Sequence, residues 1–268
     1  MELTHEKKLI ALVEKHQVKD KAQPYIRKHG GDKNIAILVH GFTGSPYDMR
    51  ELADFLYDHD IDVAVVRIAG HGTHIQDLME TKYEHWYESV ERFADEVASG
   101  SKRVYLVGYS FGSNIILDLA FRHPDQFKGV ICLGPSIYWH RRVYYKILYT
   151  LFKLVHIHKV KKPYVRRHQV TEWESTGNYA EFPTYGLGEF RDVITSRTKK
   201  ILPGVKTPTL IIHSRGDRIS HPRSSDYLFE HLGSEYKEMF VLPEFNHNPL
   251  RSDNRNKIFQ RVLGFIQA

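Results

Sequence analysis

The sequence predicts an α/β fold, a mostly parallel central sheet flanked by helices. Two observations carry that expectation. Short runs rich in β-branched residues recur along the chain, and longer segments of helical periodicity lie between them. The alternation then lapses between Pro135 and about Arg197, a stretch too long for an ordinary connection, so the segment reads as an inserted, mainly helical cap.

The strands are expected at Ile35-Val39, Val63-Ile68, Val104-Val107, Val130-Leu133, Thr209-His213 and Glu238-Leu242. Helices are expected over Tyr47-His59, Tyr83-Ala98, Ser110-Arg122, Ser224-Leu232 and Asn254-Ile266, with Pro46, Gly100, Pro124 and Pro222 at boundaries. Residues 1–23 form an N-terminal helical extension in which Thr4 caps a helix and Leu9, Ile10, Leu12 and Val13 pack on the core. Residues 24–135 and 197–268 make the core, and residues 136–196 the cap.

Composition bounds the function. With 268 residues, 41% apolar and 26% charged, the chain suits one sizeable globular core. Its one cysteine, Cys132, excludes an internal disulfide and sits in an apolar run as a small hydrophobe. The charged N-terminus is too broken for a signal peptide, and no run reaches the roughly 18 apolar residues of a membrane span, which points to the cytoplasm. The net charge of +6 is concentrated locally. Between Ile137 and Val170 lie Arg141, Arg142, Lys146, Lys153, Lys159, Lys161, Lys162, Arg166 and Arg167 with no acidic residue. Without a nucleic-acid-binding module beside them, these cations argue against nucleic acid as a partner.

In an open parallel sheet, functional groups gather at the carboxyl ends of the strands. Ser110 lies there in Gly108-Tyr-Ser-Phe-Gly112, between an expected strand and an expected helix. Serine is a favoured helix cap, but this placement also suits a nucleophile elbow, where glycines relieve crowding around a strained turn. Asp217 and His247 follow later strands in the order Ser, Asp, His. A serine hydroxyl attacks only when a neighbouring imidazole takes its proton, and an aspartate fixes that imidazole's tautomer. Asp192 and Asp226 compete for the acid's role, though neither ends a convincing strand. An oxyanion hole needs two backbone N–H groups. Phe111, next after the serine, supplies one, and Phe42 in Val39-His-Gly-Phe-Thr-Gly-Ser45 is chosen for the other.

Together His40-Gly-Phe-Thr-Gly-Ser-Pro46, Gly70-His-Gly-Thr73, Trp86, Gly108-Tyr-Ser-Phe-Gly112, Asp217 and His247 resemble the α/β-hydrolase superfamily, and more narrowly its bacterial carboxylesterases and monoacylglycerol lipases. The likeness runs from about Pro24 to the C-terminus and fades across the cap. It implies Ser110, Asp217 and His247 as a catalytic triad, the Phe42 and Phe111 amides as the oxyanion hole, and His71 and Trp86 as structural landmarks. It also implies hydrolysis of short- to medium-chain acyl esters or monoacylglycerols through an acyl-enzyme, without a cofactor. Thioesterase, amidase and carbon-carbon bond hydrolase chemistry would use the same triad, and a non-catalytic binder of the same fold is a further alternative.

The cap's apolar residues, including Tyr144, Leu148 and Phe152, recur at helical spacing and are candidates for substrate contact. Its cations would face solvent or an anionic lipid surface. His156, His158 and His168 fit no metal-site spacing, so no metal is expected.

Overall fold

A computed structural model describes residues 14–31, 33–99, 103–140, 158–162, 165–243 and 247–268. Its centre is a seven-stranded sheet in the order β1-β3-β2-β4-β5-β8-β9. The strands are β1 (Tyr25–Arg27), β2 (Asn34–Val39), β3 (Asp62–Val66), β4 (Arg103–Tyr109), β5 (Phe127–Leu133), β8 (Thr209–Ser214) and β9 (Lys237–Leu242). β1 pairs antiparallel with β3, and every other pairing in the sheet is parallel. All six expected strands are therefore present.

Alternate residues of these strands point to opposite faces, and each face has its own core. On one, Ile37, Val39, Leu106, Cys132 and Ile211 pack with Trp86 and Val90 of α3 (Tyr83–Ala98) and Ile115 of α4 (Phe111–Arg122). On the other, Leu38, Val65, Val107, Leu133 and Ile212 pack with Leu52 and Leu56 of α1 (Arg50–Asp58) and with Ile258 and Val262 of α8 (Arg255–Gln267). Burial on both faces explains why these strands read as continuous apolar runs. α2 (Ile75–Glu80) and α7 (Arg223–His231) are further helices of the core.

Residues 14–23 depart from the expected helix. Apart from the 3-10 turn Asp20–Ala22, they form no helix. Long-range bonds hold them instead. Glu14 pairs with Arg67 at 2.7 Å and accepts the Gly70 N–H at 2.6 Å, while the Lys15 N–H donates to Asp77 at 3.0 Å. Thr4, Leu9, Ile10, Leu12 and Val13 lie outside the described residues.

The segment 136–196 is not purely helical where it is described. A separate antiparallel pair, β6 (Lys159–Lys161) with β7 (Glu181–Pro183), accompanies the helices α5 (Val170–Ser175) and α6 (Thr184–Val193). The segment is fastened to the loop after β2: Ser45 Oγ donates to Thr176 O at 2.6 Å, and the Tyr179 N–H donates to Thr43 O at 3.0 Å. Tyr144, Leu148 and Phe152 fall outside the described residues, as do Arg141, Arg142, Lys146 and Lys153. Of the cations that are described, Lys162 is buried rather than solvent-facing, and Lys159 pairs with Glu181 at 2.7 Å.

Candidate active site

Ser110 sits at the turn from β4 into α4 with φ 52° and ψ −114°. A positive φ is strained for a residue with a Cβ, and such strain persists only where the surroundings impose it. Here two close approaches impose it. A Cβ on Gly108 would lie 2.6 Å from the Gly112 carbonyl, and one on Gly112 would lie 2.4 Å from Val39 O. Only glycine permits α4 to start so near β2 and β4. The Ser110 N–H donates to Leu133 O at 2.8 Å, which pins the turn to the end of β5.

The three residues picked for a triad come together at the carboxyl ends of β4, β8 and β9. His247 Nε2 lies 3.2 Å from Ser110 Oγ, and His247 Nδ1 lies 2.7 Å from Asp217 Oδ2. An ionised carboxylate only accepts, so the Nδ1 proton is donated to Asp217 and Nε2 is left to accept from Ser110. Asp217 Oδ1 accepts the N–H groups of Ile219 at 2.7 Å and Ser220 at 3.0 Å. Burial pushes this carboxyl up, but the hydrogen bonds from His213 and His247 and the nearby His247 charge outweigh burial and hold it at about 2. The competitors lie elsewhere: Asp226 is 3.5 Å from Arg215, and Asp192 is 2.7 Å from Arg191.

The loop after β2 passes directly beside the serine. A Cβ on Gly41 would come within 3.3 Å of Ser110 Cβ and of the Tyr109 ring. Thr43, one residue beyond Phe42, is held at φ 61°, so this loop carries strain of its own. The Phe42 ring meets Trp86 at 5.4 Å, Phe111 at 5.8 Å and Phe190 at 5.7 Å between centroids, and Phe190 reaches Phe111 at 4.5 Å and Trp139 at 5.0 Å. Phe111 opens α4, where the first N–H groups of a helix have no intrahelical acceptor. His71 and Trp86 are fully buried beneath this loop.

Two further residues adjoin the site that sequence reasoning passed over. Ser136 Oγ lies 3.3 Å from Ser110 Oγ, and the Ser136 carbonyl accepts from the Asn114 amide at 3.2 Å. His213 Nε2 lies 3.2 Å from Asp217 Oδ2. His213 was visible only as the last residue of an expected strand, with no motif to mark it. Ser136 had no signal, since it follows Pro135 at the start of the segment without periodicity.

A parallel sheet whose strand-to-helix turn strains a serine beside a histidine and an aspartate defines an α/β hydrolase. Comparison with known proteins narrows the class. Residues 31–254 match the family described as serine aminopeptidase, S33 (Hydrolase_4), and the chain belongs to it. It is similar to the thermostable monoacylglycerol lipase of Bacillus sp. (strain H-257), 27% identical over 94% of this chain and 97% of that one. It is also similar to a carboxylesterase of Bacillus subtilis (strain 168), 23% identical over 89% and 94%. Among solved structures, a chain from the study of the metagenome-derived lipolytic enzymes LipS and LipT superposes with a TM-score of 0.80 at 23% identity, covering 94% of this chain and 99% of that one. The monoacylglycerol lipase of Paleococcus ferrophilus gives 0.72 at 18% identity over 91% and 98%. Over nearly its full length the chain is thus an α/β hydrolase of this family, similar to a monoacylglycerol lipase and to a carboxylesterase. No helix among the described residues is long and apolar enough to cross a membrane.

Proposed function

We propose that Ser110, His247 and Asp217 hydrolyse carboxylic esters, short- to medium-chain acyl esters or monoacylglycerols, through an acyl-enzyme. The observation that carries this reading is the continuous line of contacts from Ser110 Oγ to His247 Nε2 at 3.2 Å and from His247 Nδ1 to Asp217 Oδ2 at 2.7 Å. Ser110 Oγ attacks the ester carbonyl carbon while its proton passes to His247 Nε2. The imidazolium so formed faces an ionised Asp217, which stabilises it and keeps Nδ1 protonated. The carbonyl oxygen, now negative, is held by the N–H groups of Phe42 and Phe111, each worth about 2.7 to 4 kcal/mol in the transition state. His247 then gives its proton to the leaving alcohol. Water, deprotonated by the same nitrogen, attacks the acyl carbon and returns Ser110 and the free acid.

The choice of esters follows the Bacillus relatives, whose names are a monoacylglycerol lipase and a carboxylesterase. The ring cluster of Phe42, Phe111, Phe190 and Trp139 beside the serine supports an apolar acyl group in preference to a charged one. Folded Ser110→Ala is expected to lose hydrolysis of p-nitrophenyl esters by up to about 10⁶-fold, the scale seen when the nucleophile of a serine hydrolase is removed. A panel of p-nitrophenyl esters and monoacylglycerols of graded chain length should peak at a short or medium acyl chain. Full activity in Ser110→Ala contradicts the assignment of the nucleophile, and a preference for amides over all esters contradicts the substrate class.

A further inference from the structure

Ester hydrolysis by the triad gives no task to His213, the buried histidine that touches Asp217. His213 is 1% exposed, and its Nε2 approaches Asp217 Oδ2 at 3.2 Å, the same oxygen that His247 Nδ1 reaches at 2.7 Å. Since an ionised carboxylate only accepts, the proton in this contact belongs to His213 Nε2. Nδ1 then carries a lone pair, and among the described residues that buried atom has no hydrogen-bond partner. Burying an unpartnered ring nitrogen costs stability that an apolar side chain in β8 would not. What the imidazole supplies in return is its one donated bond, to Asp217.

We propose that His213 is a positioning residue that sets the negative charge Asp217 presents to His247, and with it the pH at which the site becomes active. The proposal rests on reading Ser110, His247 and Asp217 as a triad. Asp217 Oδ2 receives two imidazole N–H groups, while Oδ1 receives the two main-chain ones from Ile219 and Ser220. The bond from His213 spreads part of the carboxylate's charge away from His247, so the imidazolium formed during the reaction is held less tightly. It also fixes the carboxylate plane against rotation, which keeps Oδ2 aimed at Nδ1.

Among the described residues, few other charged and titratable groups surround the pair. His140 Nε2–H donates to the Asp217 main-chain carbonyl at 2.7 Å and stacks on His221 at 4.5 Å. Arg223 acts electrostatically on His221, and the Tyr109 ring faces His247 at 5.6 Å. None of these reaches the Asp217 carboxylate through a hydrogen bond, so His213 is the only side chain besides His247 that does so among the described residues.

The sign of the effect is fixed by the geometry. His213→Leu removes the donor, concentrates charge on Asp217, strengthens its hold on the imidazolium and therefore moves the acid limb of the kcat/KM profile to higher pH, by about half a unit or more. His213→Gln, whose side-chain amide offers an N–H at similar reach, keeps the limb of the parent. A residue that merely filled space would lower activity evenly across the profile. The test is the pH dependence of kcat/KM for p-nitrophenyl ester hydrolysis by the parent, His213→Leu and His213→Gln, each checked by its melting curve, with Ser110→Ala assayed beside them. Activity surviving in Ser110→Ala removes the triad reading itself. Loss in Ser110→Ala with a folded His213→Leu that keeps the parent's limb, or with Leu and Gln shifted alike, overturns only the role of His213. Should His213→Leu not fold, long-range ¹H–¹⁵N spectra of the unsubstituted protein decide: a proton on His213 Nε2 is the expected result, and a proton on Nδ1 overturns the proposal.

Discussion

A serine held at φ 52° between two glycines is costly to keep, and the cost is understandable from what surrounds it. The turn that strains Ser110 also starts α4, yet the serine hydroxyl makes no capping bond to that helix and is turned toward His247 instead. This much was legible in Gly108-Tyr-Ser-Phe-Gly112, because the glycines mark the close approaches to β2 and α4. Asp217 was legible from its place after a strand, but the four hydrogen bonds on its carboxylate were not, since they depend on His213 and on two amides ordered by the turn. Those bonds have a measurable consequence. The folded carboxyl lies at about 2, below its ordinary value of 3.8, so Asp217 contributes stability above pH 4 that is lost as the pH falls through that interval. Asp217→Asn lacks the titration. The stability advantage of the parent over this variant, measured by urea unfolding, is expected to shrink by about 2 kcal/mol between pH 5 and pH 2, and parallel curves would contradict it.

At the scale of elements, the long strands and helices followed from burial patterns that a sequence displays openly. The short ones did not. β1, β6 and β7 have three residues each, too few to establish a period, and β6 reads Lys159-Val-Lys161, which looks like a solvated run. The same charge run hid Lys162, which the fold buries beside the rings of Phe182 at 4.9 Å and Trp173 at 5.6 Å. Burial pushes its ammonium down to about 7 from 10.5, with Asp48 pulling the other way. The unfolded chain thus binds more protons than the folded one between these values, and stability rises as the pH climbs through them. Urea midpoints of the parent are expected to climb between pH 7 and pH 10 relative to those of Lys162→Met, which keeps the apolar stem but cannot titrate. Midpoints that track each other across the range would show that Lys162 is accommodated without this cost.

The whole molecule depends on contacts between segments far apart in sequence, which no local pattern announces. Residues 14–23 lie across the Gly70-His71-Gly72 turn: the Lys19 N–H donates to Gly72 O at 2.9 Å, and the Ala22 side chain occupies the space that a Cβ on Gly72 or Gly177 would need. They tie the core to the segment between β5 and β8, since Lys19 Nζ also donates to Glu174 O at 2.8 Å. Removing residues 1–23 is therefore expected to lower the melting temperature by roughly 5 °C or more, as loss of a buried ion pair and its packing would, and an unchanged melting curve would mean that the strap adds nothing. Function, by contrast, converges on one point. Three strands deliver Ser110, Asp217 and His247 to the carboxyl end of the sheet, and the loop after β2 passes beside the serine at Gly41. The most direct measurement of that convergence is mass spectrometry of the protein after reaction with a fluorophosphonate. A single adduct on Ser110, absent from Ser110→Ala and from His247→Ala, is the result this account predicts. A folded, ester-hydrolysing protein that stays unlabelled at Ser110 would contradict it.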